Sequence, residues 1–314
     1  MCLNTLCGKK ILVTGALGFI GRTLLETLIA DDCGAELYGI DIKSMPDDAL
    51  QLKEHVHFAN IDIRNEDQIK KYIRENRFDG VVHLAAVSRV VDAENDKTKC
   101  IDTNFKGTKY IVEAVAENPD AWLIFGSSRE VYGEQVNFPV TEDSSLLPIN
   151  IYGFYKLEGE RIVQRMLKRY CILRFSNVYG NSYDIPERVI PKFVHTAIEG
   201  GELFLEGGEQ VIDFTYIDDT VASIIKCMKL LVNKEMNHEI IHILPGCRNK
   251  ITDVIDSLQQ LGLHFTVKHR PARSYDVQKF VGNPEKCNRL LYGGFMQFTS
   301  LQEGLKRMVS SPPS

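Results

Sequence analysis

The sequence lacks several features that would restrict a chain of 314 residues to a narrow class of proteins. Its eight cysteines are scattered singly and no Cys-x-x-Cys pair occurs, which argues against a cysteine-based metal or redox site. No stretch approaches about 18 apolar residues, so a membrane-spanning helix is not predicted. The formal net charge of −5 offers no attraction to nucleic acid or to an anionic membrane, and we expect neither as a partner.

The histidines also lack the spacing of metal ligands. His55 and His57 flank one residue of an apolar run, His83 lies in another such run, and His195 falls in a predicted helix. Structural roles explain these positions better, and we predict no metal. Cysteines inside apolar runs, such as Cys171, indicate the packed thiols of a reducing compartment, and no segment resembles a targeting signal, so we expect a cytoplasmic protein.

A glycine-rich turn is the most informative feature that the sequence does contain. Residues 14–21 read Thr-Gly-Ala-Leu-Gly-Phe-Ile-Gly and directly follow the apolar run 10–13. We expect a buried strand, a tight turn and a helix, an arrangement that binds the phosphates of a dinucleotide. In it, Gly15 allows the sharp turn, Gly18 allows backbone N–H groups to approach the phosphates, and Gly21 allows the helix to pack close to the sheet.

An acidic residue after the second apolar run indicates which dinucleotide binds. Asp41 follows the run 37–40 and lies twenty residues after Gly21. A carboxylate at this place can accept hydrogen bonds from both ribose hydroxyls, and it would repel a 2′-phosphate. The sequence therefore predicts NAD rather than NADP. The alternative is a loop aspartate that caps the next segment.

The order of the apolar runs predicts the fold class. Strand-like runs alternate with segments of helical periodicity and occupy residues 10–13, 37–40, 56–59, 80–84, 121–125 and 170–174. This alternation predicts an α/β fold with a doubly wound parallel sheet and helices on both faces. After residue 180 the pattern becomes irregular and indicates a smaller α+β lobe. We expect a dinucleotide-binding domain over residues 1–180, with 211–240 packing back on it, and a substrate-binding domain over residues 181–314.

Three polar residues form a candidate catalytic group. Tyr152 and Lys156 are spaced by four and share one face of a predicted helix, while Ser128 follows the run 121–125. A neighbouring ammonium and the positive nicotinamide ring both favour a phenolate, so Lys156 and the bound cofactor are expected to lower the pKa of Tyr152 and make it a base. Ser128 would hold the substrate oxygen. The alternative is a solvated tyrosine–lysine pair on a surface helix.

Taken together, the motifs resemble the extended short-chain dehydrogenases/reductases, in the branch of NAD-dependent sugar-nucleotide epimerases and dehydratases. The resemblance runs from residue 10 to about residue 305 and so covers nearly the whole chain. The motifs that carry it are TGALGFIG (14–21), Asp62-Ile63, His83-Leu84-Ala85-Ala86, NFKGT (104–108), SSREVYG (127–133), YGFYK (152–156), RFSNVYG (174–180), VIPKF (189–193) and DFTYIDD (213–219).

The resemblance implies a Rossmann-type sheet with a smaller carboxyl-terminal α+β domain that grips the nucleotide. It also implies oxidation of a nucleotide-diphosphate sugar at C4 by bound NAD, and a homodimer formed through helices at about 103–117 and 152–168. The cofactor-binding residues that it implies are Gly15, Leu17, Gly18, Phe19, Ile20, Gly21, Asp41, Ile42, Asp62, Ile63, Leu84, Ala85, Ala86, Asn104, Tyr152 and Lys156. The implied catalytic residues are Ser128, Tyr152, Lys156 and Glu130, and the implied substrate-binding residues are Ser88, Ser128, Arg129, Asn177, Arg188 and Arg273.

One departure from the family pattern leaves the net reaction open. Glu130 stands where dehydratases and decarboxylating relatives carry a glutamate, which can remove the C5 proton beside a C4 ketone. Arg129 stands where 4,6-dehydratases carry an acid, and an arginine cannot protonate a departing hydroxyl. The two side chains could instead pair with each other. Epimerisation at C4, elimination with another acid, and net oxidation by a 4-dehydrogenase that releases a 4-keto sugar all stay open.

A second departure concerns the grip on the diphosphate. Ile212 replaces an arginine that clasps the diphosphate in many relatives, whereas Arg273 is retained. The sequence does not indicate which nucleotide the substrate carries. A regulatory NAD-sensing protein with the same fold is a further alternative, although a sensor needs none of Ser128, Tyr152 and Lys156.

Overall fold

The computed structural model of the protein describes residues 5–272 and 277–310. Its strands are β1 (Lys10–Thr14), β2 (Glu36–Asp41), β3 (Val56–Asn60), β4 (Gly80–His83), β5 (Trp122–Ser128), β6 (Tyr170–Phe175), β7 (Asn177–Tyr179), β8 (Glu202–Glu206), β9 (Val211–Ile212), β10 (Phe214–Tyr216), β11 (Glu239–Ile243), β12 (Asn249–Lys250) and β13 (Thr266–Arg270). Its α-helices are α1 (Phe19–Ala30), α2 (Leu50–His55), α3 (Glu66–Asn76), α4 (Val90–Asn95), α5 (Lys97–Cys100), α6 (Thr108–Ala116), α7 (Ile151–Met166), α8 (Val189–Ile198), α9 (Ile217–Val232), α10 (Ile251–Gln260), α11 (Glu285–Tyr292) and α12 (Leu301–Ser310). A π-helical segment, Ile101–Gly107, leads into α6, and a 3-10 turn, Arg129–Val131, follows β5.

Within these ranges, seven parallel strands form the central sheet in the order β11-β6-β5-β4-β1-β2-β3. The register places Val13 of β1 opposite Gly39 of β2 and Val82 of β4. The predicted doubly wound parallel sheet is confirmed, and the six predicted runs are its first six strands in chain order. The strand order reverses beside β1, and ligands of such sheets bind in the crevice outside the carboxyl ends of the strands at this point.

Helices cover both faces of the sheet, as the alternating pattern predicts. On one face α3, α6 and α7 bury apolar residues such as Ile69, Ile111 and Ile162 against the sheet. On the other face α1 and α9 pack together and bury Leu25 and Ile224. Because α9 and the edge strand β11 both lie in this layered body, the chain returns to the sheet after residue 216.

The second lobe is built from short elements that face the carboxyl edge of the sheet. In it, β8 and β13 pair in parallel, and α10 packs against α8 and α12. Two further short pairs, β7 with β10 and β9 with β12, join this lobe to the strand ends of the sheet. The lobe therefore forms the opposite wall of a cleft over the sheet edge.

A search of the described ranges finds no helix with the length and apolar character needed to traverse a bilayer. The thiols of Cys33, Cys100, Cys171, Cys227 and Cys287 are free and buried. These cysteines act as small core residues, and for Cys171 this is the packing that its position in an apolar run predicts.

Candidate active site

A cleft of about 1200 Å³ opens at the carboxyl ends of the strands. Its walls are the glycine turn, the ends of β2 and β5, the loop after β4, and second-lobe residues such as Phe204 and Ile212. A pocket for one small ligand typically measures roughly 300–1,000 Å³. The cleft is therefore large enough for a dinucleotide together with a second ligand.

The shape of the glycine turn at one end of the cleft requires residues without side chains. Gly15 has a φ of +71°, and a Cβ atom there would lie 2.9 Å from the backbone nitrogen of Ala85. A Cβ atom on Gly21 would lie 2.1 Å from the carbonyl oxygen of Gly15. The close packing predicted for Gly21 is thus made against the turn itself rather than against the sheet.

The helix that follows the turn presents its amino-terminal end to the cleft. Gly18 precedes α1, no side chain of the described residues caps the helix, and its first turn contains no acidic residue. The positive end of the helix dipole and the first backbone N–H groups favour an anion at this position. The turn and the helix therefore fit a phosphate group.

Asp41 ends β2 and faces the same part of the cleft. Its Oδ2 accepts a hydrogen bond from the backbone nitrogen of Leu17 at 3.0 Å, and its Oδ1 accepts one from that of Lys43 at 3.0 Å. The contact with the Lys43 nitrogen is a local cap, as the alternative interpretation of Asp41 proposed. Each carboxylate oxygen can accept a further hydrogen bond, so the cap leaves acceptors for two ribose hydroxyls.

Most of the residues predicted to bind the cofactor line the cleft. They are Gly15, Leu17, Gly18, Phe19, Ile20, Gly21, Asp41, Ile42, Asp62, Ile63, Leu84, Ala85, Ala86, Tyr152 and Lys156. Asp62 pairs with Arg64 at 2.6 Å, and this arginine holds the pKa of the Asp62 carboxyl below its usual range. Asn104 instead lies behind the lining, where its amide exchanges hydrogen bonds of 2.8 and 3.0 Å with the backbone of Val87. Asn104 therefore orders the loop after β4.

The candidate catalytic residues meet where β5 and α7 approach each other. Ser128 is the last residue of β5, and Tyr152 and Lys156 lie in the first two turns of α7. Asn150 caps this helix, since its Oδ1 accepts a hydrogen bond from the Gly153 nitrogen at 2.8 Å. Tyr152 is 9% exposed and Lys156 is 4% exposed. Tyr152 and Lys156 are therefore not a solvated pair on a surface helix, which was the alternative interpretation of their spacing.

The electrostatics of this group differ from the expectation in one respect. Nζ of Lys156 donates to the Gly126 carbonyl at 2.7 Å and lies 5.9 Å from the centre of the Tyr152 ring. Burial lowers the pKa of Lys156 to about 8. Burial also raises the pKa of Tyr152 to about 12, against the opposing effects of a hydrogen bond with Ser128 and the charge of Arg188. In the protein alone, Lys156 therefore does not lower the tyrosine pKa, because desolvation of the phenolate dominates.

A buried ion pair stabilises the contact between β5 and α7 that carries the candidate catalytic residues. Glu160, one helical turn after Lys156, accepts hydrogen bonds from Ser127 and, at 2.9 and 2.7 Å, from the guanidinium of Arg174. Both charged side chains are 1% exposed. This contact fastens α7 to the ends of β5 and β6, and so fixes the distance between Ser128 and Tyr152.

His83 lies below the same region and has a structural role, as predicted. Its ring nitrogens lie 2.7 Å from the Thr14 hydroxyl and 3.0 Å from the Thr108 hydroxyl. Burial lowers the pKa of His83 to about 3, so the ring is neutral. Across the described part of the chain, no cluster of three or more histidine, cysteine, aspartate or glutamate side chains could hold a metal ion.

Arg129 and Glu130 do pair with each other at the far end of the cleft. Nη2 of Arg129 lies 3.0 Å from Oε1 of Glu130, and Nε of Arg129 donates to Oδ1 of Asn177 at 2.8 Å. Oε2 of Glu130 accepts a hydrogen bond from the Asn150 amide at 2.7 Å. All four side chains are substantially buried, and three of them (Arg129, Glu130 and Asn177) line the cleft.

A second arginine spans the cleft between the two lobes. Arg188 precedes α8, and its guanidinium lies 3.2 Å from the carboxylate of Asp184 and 3.1 Å from the hydroxyl of Ser88. Burial raises the pKa of Asp184 to about 6. Asp184 lies in a loop without periodicity, so no sequence signal identified it. Ile212 lines the cleft and offers the substrate no hydrogen-bond donor from its side chain, while Arg273 lies outside the described residues.

Comparisons with known proteins agree with this geometry. A family model described as the NAD dependent epimerase/dehydratase family matches residues 11–241. The chain is 29% identical over 269 residues to a UDP-N-acetyl-alpha-D-glucosaminuronate decarboxylase of Bacillus cytotoxicus, covering 81% of this chain and 80% of that protein.

Two solved structures share the fold over nearly their full length. The UDP-glucose 4-epimerase of Thermotoga maritima, solved with UDP-glucose, gives a TM-score of 0.87 at 28% identity and covers 96% of this chain and 98% of that one. The UDP-glucuronic acid 4-epimerase of Bacillus cereus, solved with UDP-glucuronic acid and NAD, gives a TM-score of 0.84 at 27% identity with coverages of 96% and 98%.

Proposed function

The chain belongs to the NAD dependent epimerase/dehydratase family, and on that premise we propose that it is a nucleotide-sugar 4-epimerase. The proposed substrate is a nucleoside-diphosphate sugar, since both solved relatives described above hold a UDP-sugar. The observation that carries the proposal is the burial of Tyr152, Ser128 and Lys156 in the cleft that begins at the glycine turn.

NAD fits the residues at the glycine-turn end. A Cβ atom at Gly15 or Gly21 would collide with backbone, so the turn keeps the tight form that a pyrophosphate needs. The uncapped start of α1 favours the phosphates, and Asp41 favours the two free ribose hydroxyls. When bound, NAD would supply the hydride acceptor for C4 and the positive charge of its nicotinamide ring.

The residues of the chain supply the proton transfer. Tyr152 removes the proton of the C4 hydroxyl, and Ser128, within hydrogen-bonding reach of the phenol, holds the same oxygen. Lys156, oriented by the Gly126 carbonyl, supplies positive charge close to the phenol. Since the pKa of Tyr152 in the protein alone is about 12, activation requires the additional charge that arrives with the cofactor.

Epimerisation is proposed in preference to elimination because of the residues beside Ser128. Arg129 cannot act as the acid that a departing C6 hydroxyl needs. Glu130 is hydrogen-bonded through both oxygens, to Arg129 and to Asn150. The chemistry at C4 needs neither side chain as an acid or a base. The hydride taken from C4 would return to the opposite face of the 4-keto sugar, and Tyr152 would return the proton to the C4 oxygen, which completes the inversion.

The test is a product analysis with UDP-, GDP-, CDP- and dTDP-linked sugars. We expect a product of unchanged mass with altered NMR coupling constants at H4. Loss of two hydrogens with accumulation of NADH would instead indicate a 4-dehydrogenase, and loss of water would indicate elimination. NAD binding without turnover of any sugar nucleotide would indicate a sensor.

A homodimer is part of the proposal. Phe154, on the outer face of α7, is 46% exposed and packs edge-on against Tyr155 at 5.1 Å between ring centres. An exposed aromatic side chain on a long helix suits packing against a second copy of the same helix. Light scattering should give twice the mass of the chain, and a monomer at micromolar concentration would rule the dimer out.

A further inference from the structure

We infer that Arg129 confines the reaction to C4 by keeping the carboxylate of Glu130 out of proton transfer. The inference rests on the proposed oxidation at C4, because a C4 ketone acidifies the neighbouring C5 hydrogen. Glu130 lines the same cleft as Ser128 and Tyr152. A free carboxylate there would be a base available to C5, and the question is whether this one is free.

Both oxygens of Glu130 are already held. Oε1 lies 3.0 Å from Nη2 of Arg129, and Oε2 accepts from the Asn150 amide at 2.7 Å. Glu130 is 7% exposed and Arg129 is 8% exposed, so water has little access to replace either contact. The hydrogen bonds to a charged partner are the stronger kind and fix the carboxylate in this orientation.

Proton uptake by Glu130 would leave the guanidinium without its counter-ion. Nη1 of Arg129 is buried and has no hydrogen-bond partner among the described residues, while Nε is bonded to Asn177. A buried charge that loses its partner is strongly destabilised. The arginine therefore opposes protonation of Glu130, which is the event that base catalysis at C5 requires.

The second contact ties Glu130 to the helix that carries Tyr152. Asn150 donates to Glu130 with one side of its amide and, with the other, caps α7 at the Gly153 nitrogen. A Cβ atom on Gly153 would lie 2.4 Å from the Glu130 carbonyl oxygen, so the 3-10 turn and the helix are in close contact. Glu130 thus acts as a positioning residue for the start of α7, and a movement toward C5 would disrupt this cap.

Removal of the charge at Arg129 should release the base. In the 4-keto sugar the C5–H bond would break, its electron pair would move to the C4 oxygen, and Glu130 would hold the proton. After exchange with solvent, deuterium would return to C5 with no net oxidation or reduction. We expect Arg129→Met to raise the rate of deuterium incorporation at C5 by about 10²-fold or more over the wild type, the low end of a general-base contribution.

The experiment uses the full chain in D₂O, with NAD and the nucleotide sugar that the wild type turns over. Deuterium at C5 and inversion at C4 are measured by NMR and mass spectrometry for the wild type, Arg129→Met, Arg129→Lys and the double variant Arg129→Met/Glu130→Gln. The wild type and the lysine variant should retain the C5 hydrogen, and the double variant should lose the exchange gained by Arg129→Met. Arg129→Gln is the second neutral variant, should the methionine variant fail to fold.

The outcomes separate the inference from the proposed function. Wild-type product that carries deuterium at C5 overturns the inference while leaving C4 chemistry in place. The same holds for a folded, active neutral variant whose C5 exchange equals that of the wild type. Absence of any sugar product and of NADH absorbance in the wild type overturns the proposed function, and the inference with it.

Discussion

The two ends of the cleft are built in different ways. At the glycine-turn end (residues 15–21 and Asp41) the contacts run mainly through the backbone, as in the bonds from the Leu17 and Lys43 nitrogens to Asp41. At the arginine end (Arg129, Glu130, Asn150 and Asn177) side chains pair with side chains, across as many as 48 positions of sequence.

The difference shows which end of the cleft can be altered by single substitutions and which end cannot. A backbone turn with a φ of +71° and a neighbour within 3 Å of an added Cβ has one workable shape. A network of four polar side chains can instead be altered one charge at a time while the backbone stays in place. The first arrangement suits a constant partner, and the second suits a reaction that varies among related proteins.

The largest effect is expected at Tyr152, which lies between the two ends. Tyr152→Phe should lower kcat by about 10²–10⁴-fold, the usual contribution of a general acid–base group. NAD binding should change little, because the phenol makes no part of the glycine turn. Steady-state kinetics and calorimetric titration measure the two quantities. Tyr155→Phe, on the same helix and outside the cleft lining, is the matched control, and near-normal turnover of Tyr152→Phe would show that the assignment is wrong.

The sheet was predictable because its signals are local. Each of the first six strands is an apolar run, and each run precedes a helical period or a turn. The edge strand β11 was not predicted. Its residue His242 is polar yet fully buried, and its Nε2 lies 2.6 Å from the hydroxyl of Tyr132, 110 positions away. A distant partner decides that position, and no local pattern contains it.

The same limit applies to the site. Spacing placed Tyr152, Lys156 and Ser128 together, because a helix turn and a strand end are local features. The direction of the Tyr152 pKa shift was not predictable, since it depends on the burial that the whole cleft produces. The pairing of Arg129 with Glu130 was one of two readings of the sequence, and the partners Asn150 and Asn177 come from other segments.

Gly21→Ala tests the fixed shape of the glycine-turn end. The added Cβ atom would lie 2.1 Å from the Gly15 carbonyl oxygen, so the turn must shift. We expect a loss of about 1–3 kcal/mol in the free energy of unfolding. Affinity for NAD should fall by about tenfold, equivalent to roughly 1.4 kcal/mol. Gly201→Ala is the control, because its added Cβ would come no closer than 3.4 Å to another atom. Equal NAD affinity in the two variants would break the comparison between the ends.

Asp41→Asn sharpens the comparison by testing cofactor choice at the glycine-turn end, where the amide can accept only one of the two hydrogen bonds that the Leu17 and Lys43 nitrogens donate. The amide keeps the size of the carboxylate and removes the charge that repels a 2′-phosphate. We expect the ratio of NADP affinity to NAD affinity to rise by about tenfold, or roughly 1.4 kcal/mol, with little change in kcat when NAD is saturating. Titration of both cofactors measures the ratio, and Asp67→Asn, on the exposed side of α3, is the charge control. A wild type that binds NADP as tightly as NAD would contradict the assignment of Asp41.

The smallest effect concerns the free energy of unfolding, which the buried ammonium of Lys156 lowers. Burial lowers its pKa from 10.5 to about 8, so between these pH values the unfolded chain binds more protons than the folded one. The free energy of unfolding therefore rises across that window as pH increases, and the cost of the buried ammonium is full below pH 8. That cost is on the order of 3 kcal/mol. Lys156→Met removes the cost, but it also loses the hydrogen bond to the Gly126 carbonyl, which stabilises the wild type by about 2 kcal/mol.

Lys156→Met should consequently be more stable than the wild type by about 1 kcal/mol at pH 7. The advantage should shrink as pH approaches 10.5, the ordinary lysine value, because the wild type then folds with a neutral amine. Urea denaturation of the cofactor-free protein at several pH values measures the difference, with the surface substitution Lys168→Met as control. Position 156 lies where both ends of the cleft meet, so Lys156→Met should also bind NAD more weakly and lose turnover while it gains stability. A variant that is less stable at pH 7, or whose difference from the wild type does not depend on pH, would show that the buried ammonium is compensated by contacts other than Gly126.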